Sequence, residues 1–203
     1  MTAPAPEAKT RAAKPAPEPL SRRRWILDLG AVGVLLLIPI VGFWPTFDGP
    51  RYLIAALGGL VLGMGIAVLG RVFRWGILAV AAATIGAYFL FGGALALPAT
   101  TVAAVVPTVQ TLGMLALGSV MSFKQLLTTI APVAADDGHL IVPFLLALVA
   151  AVLTTSLALR LRSAGWALIP AAAFLAAEIA LGTSQPFVPV VQGVAFGLVS
   201  VVW

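Results

Sequence analysis

The chain has 203 residues, 61% of them hydrophobic and 9% charged, with a formal net charge of +5. A soluble domain carries about 25% charged residues, so this composition belongs to a polytopic membrane protein. Zero cysteines and one histidine, His139, exclude disulfides, a thiol nucleophile and Cys- or His-rich metal sites.

Residues 1–24 form a basic tail rich in Pro and Ala, with almost no large apolar residue before position 20, and are expected to be disordered. Ser21-Arg22-Arg23-Arg24-Trp25-Ile26-Leu27 approximates a twin-arginine export signal. The apolar run to Trp44 is longer than a signal's apolar region and no small-x-small site follows it, so the segment reads as a signal anchor. Asp28 lies one turn after Arg24 and can pair with it. After the turn Pro45–Pro50, twenty residues from Arg51 to Gly70 carry no charge except the first. As a helix they span roughly 30 Å, the thickness of a bilayer's hydrocarbon core. Within them Ala55, Gly59, Gly63 and Ala67 repeat at four-residue spacing, a small-residue face that lets another helix approach closely. That face serves either packing inside the bundle, the preferred reading, or a homodimer seam.

The spacing predicts an all-α polytopic transmembrane helix bundle, with five full spans at about 25–44, 51–70, 76–97, 139–159 and 164–182 and a short sixth at 188–203. From Val190 the last run has 14 residues, or about 21 Å of helix, and suggests a truncated or fragmentary product. The outer loop 98–138 is too long for an ordinary connection. Its second half places Leu112, Leu115, Phe123, Leu127 and Ile130 on one side and Lys124, Gln125, Thr128 and Thr129 towards the other, predicting an amphipathic helix lying at the interface or re-entrant. A rival span at about 101–123 would invert everything downstream.

Ten of the twelve Lys and Arg lie in the tail or in two short loops, which topology explains without nucleic acid. With the N-terminus inside, the inner face carries Arg22, Arg23, Arg24, Arg71, Arg74, Arg160 and Arg162, against Arg51 and Lys124 outside. Asp136 and Asp137 near His139 supply too few oxygens for calcium and read as a solvated turn. Glu178 stands alone among apolar residues of the fifth span, some 7–8 Å from its outer boundary by helical rise. Its expected role is structural; the alternative is a small transporter or channel component using it as a proton or substrate group.

The segments WPTFDGPRYLIAALGGLVLGMGIAVLG, YFLFGGALALPATT, LLTTIAPVA, GHLIVPFLLALVAA, LALRLR and LGTSQPFVPVVQGVAFGLV together resemble the N-terminal membrane region of bacterial transglutaminase-like membrane proteins of the TgpA type. The resemblance follows segment order from about residue 21 to the end. It implies a multi-pass protein of the bacterial plasma membrane with a cytoplasmic N-terminus. In that family an extracytoplasmic transglutaminase-like domain with a Cys-His-Asp triad follows. A chain without cysteine cannot carry that reaction. The resemblance therefore implies a non-enzymatic anchoring module without cofactor or metal. Its expected partners are the lipid bilayer, an exported transglutaminase-like domain or other membrane subunit, and, more remotely, a cytoplasmic MoxR-type ATPase. A free-standing subunit serving a separately encoded partner is a further alternative.

Overall fold

A computed structural model describes residues 22–102, 106–128, 133–134, 138–161, 165–182 and 189–203. The disorder expected of residues 1–24 is overturned at Arg22–Arg24, which open the first helix, while residues 1–21, Thr129, Ile130, the Asp136–Asp137 pair and Arg162 lie outside the described residues.

Among the described residues seven α-helices carry the fold: α1 (Arg22–Gly42), α2 (Arg51–Val72), α3 (Ile77–Ala96), α4 (Val109–Thr128), α5 (Ile141–Arg160), α6 (Gly165–Leu181) and α7 (Pro189–Val202). By length and composition, α1, α2, α3 and α5 can each cross a membrane. The fifth expected span is shorter than read from sequence: α6 has 17 residues, about 26 Å of helix against a core of about 30 Å. The 14-residue α7 is short, as expected. Apolar side chains face outward along the helices, with Val61 69% exposed on α2 and Leu78 86% exposed on α3. Such a surface suits lipid, where the helix already satisfies its own backbone.

The best-buried helix is α5, thirteen of whose twenty residues are buried. It runs parallel to α2. A Cβ built on Gly59 would stand 2.5 Å from the Phe144 carbonyl oxygen, and one on Gly63 would stand 2.6 Å from that of Leu148. Ala55 and Ala67 on the same face are also buried. The small-residue stripe is thus filled by a helix of the same chain, which leaves no room there for a homodimer seam. Glycine is required because only a bare Cα lets the two backbones come this close.

The arginine turns fall at one end of the bundle. Arg160, the last residue of α5, donates from Nη2 to the Trp75 carbonyl at 2.9 Å, between α2 and α3. The segment between α3 and α5 therefore returns to the end it left, and the rival arrangement in which residues 101–123 reverse the downstream helices does not hold. The α2 terminus closes as a Schellman turn: the Trp75 N–H reaches the Gly70 carbonyl at 2.8 Å, and Arg74 occupies the left-handed position at φ 54°. An L-residue pays about 1–2 kcal/mol in that region. Arg74→Gly is expected to raise stability by about 0.5–1 kcal/mol, after allowing for the greater freedom of glycine in the unfolded chain. Thermal unfolding in detergent checks this, and a lowered midpoint would mean that the arginine side chain contributes more than its backbone costs.

The opposite end is tied together by contacts distant in sequence. In the turn after α1, strand β1 (Phe47–Asp48) pairs in parallel with β2 (Val133–Ala134) before α5, a pairing that the sequence reading of a simple tight turn did not contain. A 3-10 turn, Pro98–Thr100, leads from α3 towards α4. Thr108 and Thr111 cap α4 reciprocally: the Thr111 N–H donates to Thr108 Oγ1 at 3.1 Å and the Thr108 N–H to Thr111 Oγ1 at 3.2 Å. Thr111 Oγ1 also donates to the Thr100 carbonyl at 2.7 Å.

The helix expected in the outer loop is present as α4, and its burial pattern shows which of its residues face the bundle. Thr111, Leu115, Gly118, Ser122 and Leu126 turn towards the bundle, whereas Leu112 is exposed beside Met114, Leu117, Val120 and Met121. Close approach decides the face: Gly118 abuts Ile141, and Tyr88 Oη donates to the Leu115 carbonyl at 2.8 Å. The small and hydroxylated residues pack inward, and the large apolar ones remain outside.

Candidate functional site

Glu178, the acid singled out within an apolar run, is buried at 2% exposed. It lies one turn before the end of α6, and its backbone carbonyl accepts the Gly182 N–H at 2.7 Å. Three helices enclose its carboxylate. From α7, Gln192 Nε2 donates to Oε2 at 2.8 Å. From α1, Gly42 presents bare backbone, since a Cβ there would run into both Glu178 Oε1 and Gln192 Nε2. Glycine at position 42 is what makes space for the pair.

Beside this polar contact lies an aromatic cluster. Phe43 meets Phe174 at 6.5 Å and Phe47 at 6.0 Å between ring centroids, and Phe47 stacks on Tyr52 at 5.3 Å. Each ring pair adds about 0.5–1.5 kcal/mol beyond its area burial. The cluster ties the end of α1 and the start of α2 to the middle of α6, one turn before Glu178. Thr46 Oγ1 and Tyr52 Oη are buried at this end with no hydrogen-bond partner among the described residues.

A second polar contact lies at the basic end, where Trp203 Nε1 donates to Asp28 Oδ1 at 3.1 Å. It joins the end of α7 to the start of α1. No residue of α7 itself is buried, so the helix lies on the flank of the bundle with a side-chain hydrogen bond near each end. Its place one turn after Arg24 suggests a local partner for Asp28, whereas the bond to Trp203 spans 175 residues and has no local signal. Gln192 was also missed, although a glutamine inside an apolar run is the kind of residue that seeks a buried polar partner.

The structure separates the residues singled out from sequence into three places. Arg71, Arg74 and Arg160 stand exposed at the basic end, where α1 begins with Arg23 and Arg24. Ala55, Gly59, Gly63 and Ala67 line the α2–α5 seam. Glu178 lies at the other end, between α1, α6 and α7. Among the described residues, no three His, Cys, Asp or Glu gather in a way that could hold a metal ion. A carboxylate accepting from a neutral amide is an arrangement that holds two helices in register. No protein-family model, curated protein or solved structure matches the chain.

Proposed function

We propose that the chain is a non-catalytic membrane module: a multi-pass anchor with its N-terminus in the cytoplasm and its arginine turns at the inner face. On this reading α6 and α7 complete the bundle, and α4 lies at or dips into the outer leaflet, where it forms part of a platform with the β1–β2 pairing. The resemblance of its segments to TgpA-type membrane regions makes a transglutaminase-like exported domain the fitting load for that platform. The observation that carries the anchoring role is the engagement of Glu178 by Gln192 against Gly42, a use of the buried acid to fasten helices. A transporter or channel component using Glu178 is the competing reading, favoured by that residue's depth in the bundle. A proton-flux assay in liposomes separates them: an anchor gives no flux above that of protein-free vesicles, whereas a carrier gives flux that Glu178→Gln abolishes.

Orientation has its own test. The chain contains no cysteine, so single substitutions need no cleared background. Gln125→Cys, on the exposed side of α4, is expected to react with an impermeant thiol reagent added outside intact cells. Phe73→Cys, 63% exposed in the turn after α2, is expected to react only after the membrane is opened. Labelling of both from the same side would remove the proposed orientation.

A further inference from the structure

Two open apolar grooves run along the basic half of the bundle. One, of about 500 Å³, lies between α3 and α5; the other, of about 460 Å³, lies between α5 and α6. Both share the α5 ridge of Val149, Leu153 and Leu157, so they are neighbours separated by one row of side chains. From Val149 to Arg160 the ridge rises about 16 Å, close to half of a 30 Å hydrocarbon core and hence to the depth of one leaflet.

The end of this ridge is cationic. Arg160 closes the first groove, and its guanidinium is held in place by the Trp75 carbonyl at 2.9 Å. Arg71 and Arg74 belong to the same turn region. Among the described residues the acid at this end is Asp28, which already accepts from Trp203. Trp166, 61% exposed, stands at the matching end of the second groove, and indole rings favour the headgroup level.

An occupant must therefore carry two apolar tails that straddle a ridge, about one leaflet in length, and an anionic head. We propose that the bundle binds one diacyl anionic phospholipid of the inner leaflet, with a tail in each groove and its phosphate at Arg160. This rests on the membrane-spanning reading above.

The test uses the full chain reconstituted with equal mole fractions of dioleoyl phosphatidylglycerol and dioleoyl phosphatidylcholine, with bound lipid read by native mass spectrometry. The expected result is one retained phosphatidylglycerol, favoured about fivefold over phosphatidylcholine, which is the scale of one arginine at a lipid surface. Arg160→Gln should erase that preference and Arg160→Lys should keep most of it. Ala81→Phe, at an exposed position, fills the first groove and should reduce retention of the diacyl lipid while leaving the single-tailed lyso-phosphatidylglycerol unaffected. Equal retention of both diacyl lipids by the parent chain, or a preference that survives Arg160→Gln, overturns the site. Alkaline carbonate extraction keeps the two readings apart. A chain that stays in the membrane but shows no lipid preference sinks only the lipid site, whereas a chain washed off the membrane removes the spanning reading and the site with it.

Discussion

Gly63→Leu is expected to unseat α2 from α5 and to destabilise the folded bundle by about 3 kcal/mol, the upper part of the range for overpacking a tight interior. The new side chain has no free direction: the first carbon alone would stand 2.6 Å from the Leu148 carbonyl oxygen and 2.7 Å from the Ala151 Cβ. Two parallel backbones would have to separate along their length, and α5 is also packed against α1, α3 and α6. Equilibrium unfolding in mixed micelles, titrated with a denaturing detergent, measures the loss. Gly65→Ala is the control, since nothing lies within 4 Å of a Cβ built there. It should be neutral or stabilise by up to about 1 kcal/mol through helix propensity. If the two variants unfolded alike, the close α2–α5 approach would be wrong.

The second large effect concerns α7. Glu178→Leu is expected to loosen the first turns of α7, because it leaves the Gln192 amide without its acceptor at a cost of roughly 1–3 kcal/mol. Glu178→Gln keeps a carbonyl oxygen in place and should hold the helix near its parent stability. The readout is local: amide hydrogen exchange in α7 (Pro189–Val202) accelerates in the leucine variant, while exchange in α2 and α5 stays as in the parent. Nothing on α7 is buried, so few other contacts compensate. Acceleration spread over the whole bundle would show that Glu178 holds the core and not the flank.

How much of this can be read from sequence depends on the range of each interaction. The spans follow from runs of apolar residues, and the common end of Arg71, Arg74 and Arg160 follows from charge sorting between loops. The stripe Ala55, Gly59, Gly63, Ala67 is a helix-period signal, so the existence of a close face was visible. Its partner was not, because Phe144 and Leu148 lie more than eighty positions further on and nothing local selects them. In α4 the apolar spacing marks a helix but does not say which face meets the bundle: Thr111, Leu115 and Ser122 turn inward while Leu112 and Leu117 stay exposed. Glu178 stood out because a lone acid in an apolar run is costly. Gln192, Gly42 and the Asp28–Trp203 bond became visible only once α1, α6 and α7 were side by side.

The parallel seam also constrains the order of assembly. Gly63 and Leu148 are joined across a long stretch of chain that a ribosome, adding about 5–20 residues per second, takes on the order of 4–17 s to deliver. Throughout that interval the nascent second helix sits beside its early neighbours with its glycine furrow open. Closure is therefore a late event in biogenesis, and anything that halts translation before residue 141 releases a product whose furrow is free to capture another of its kind.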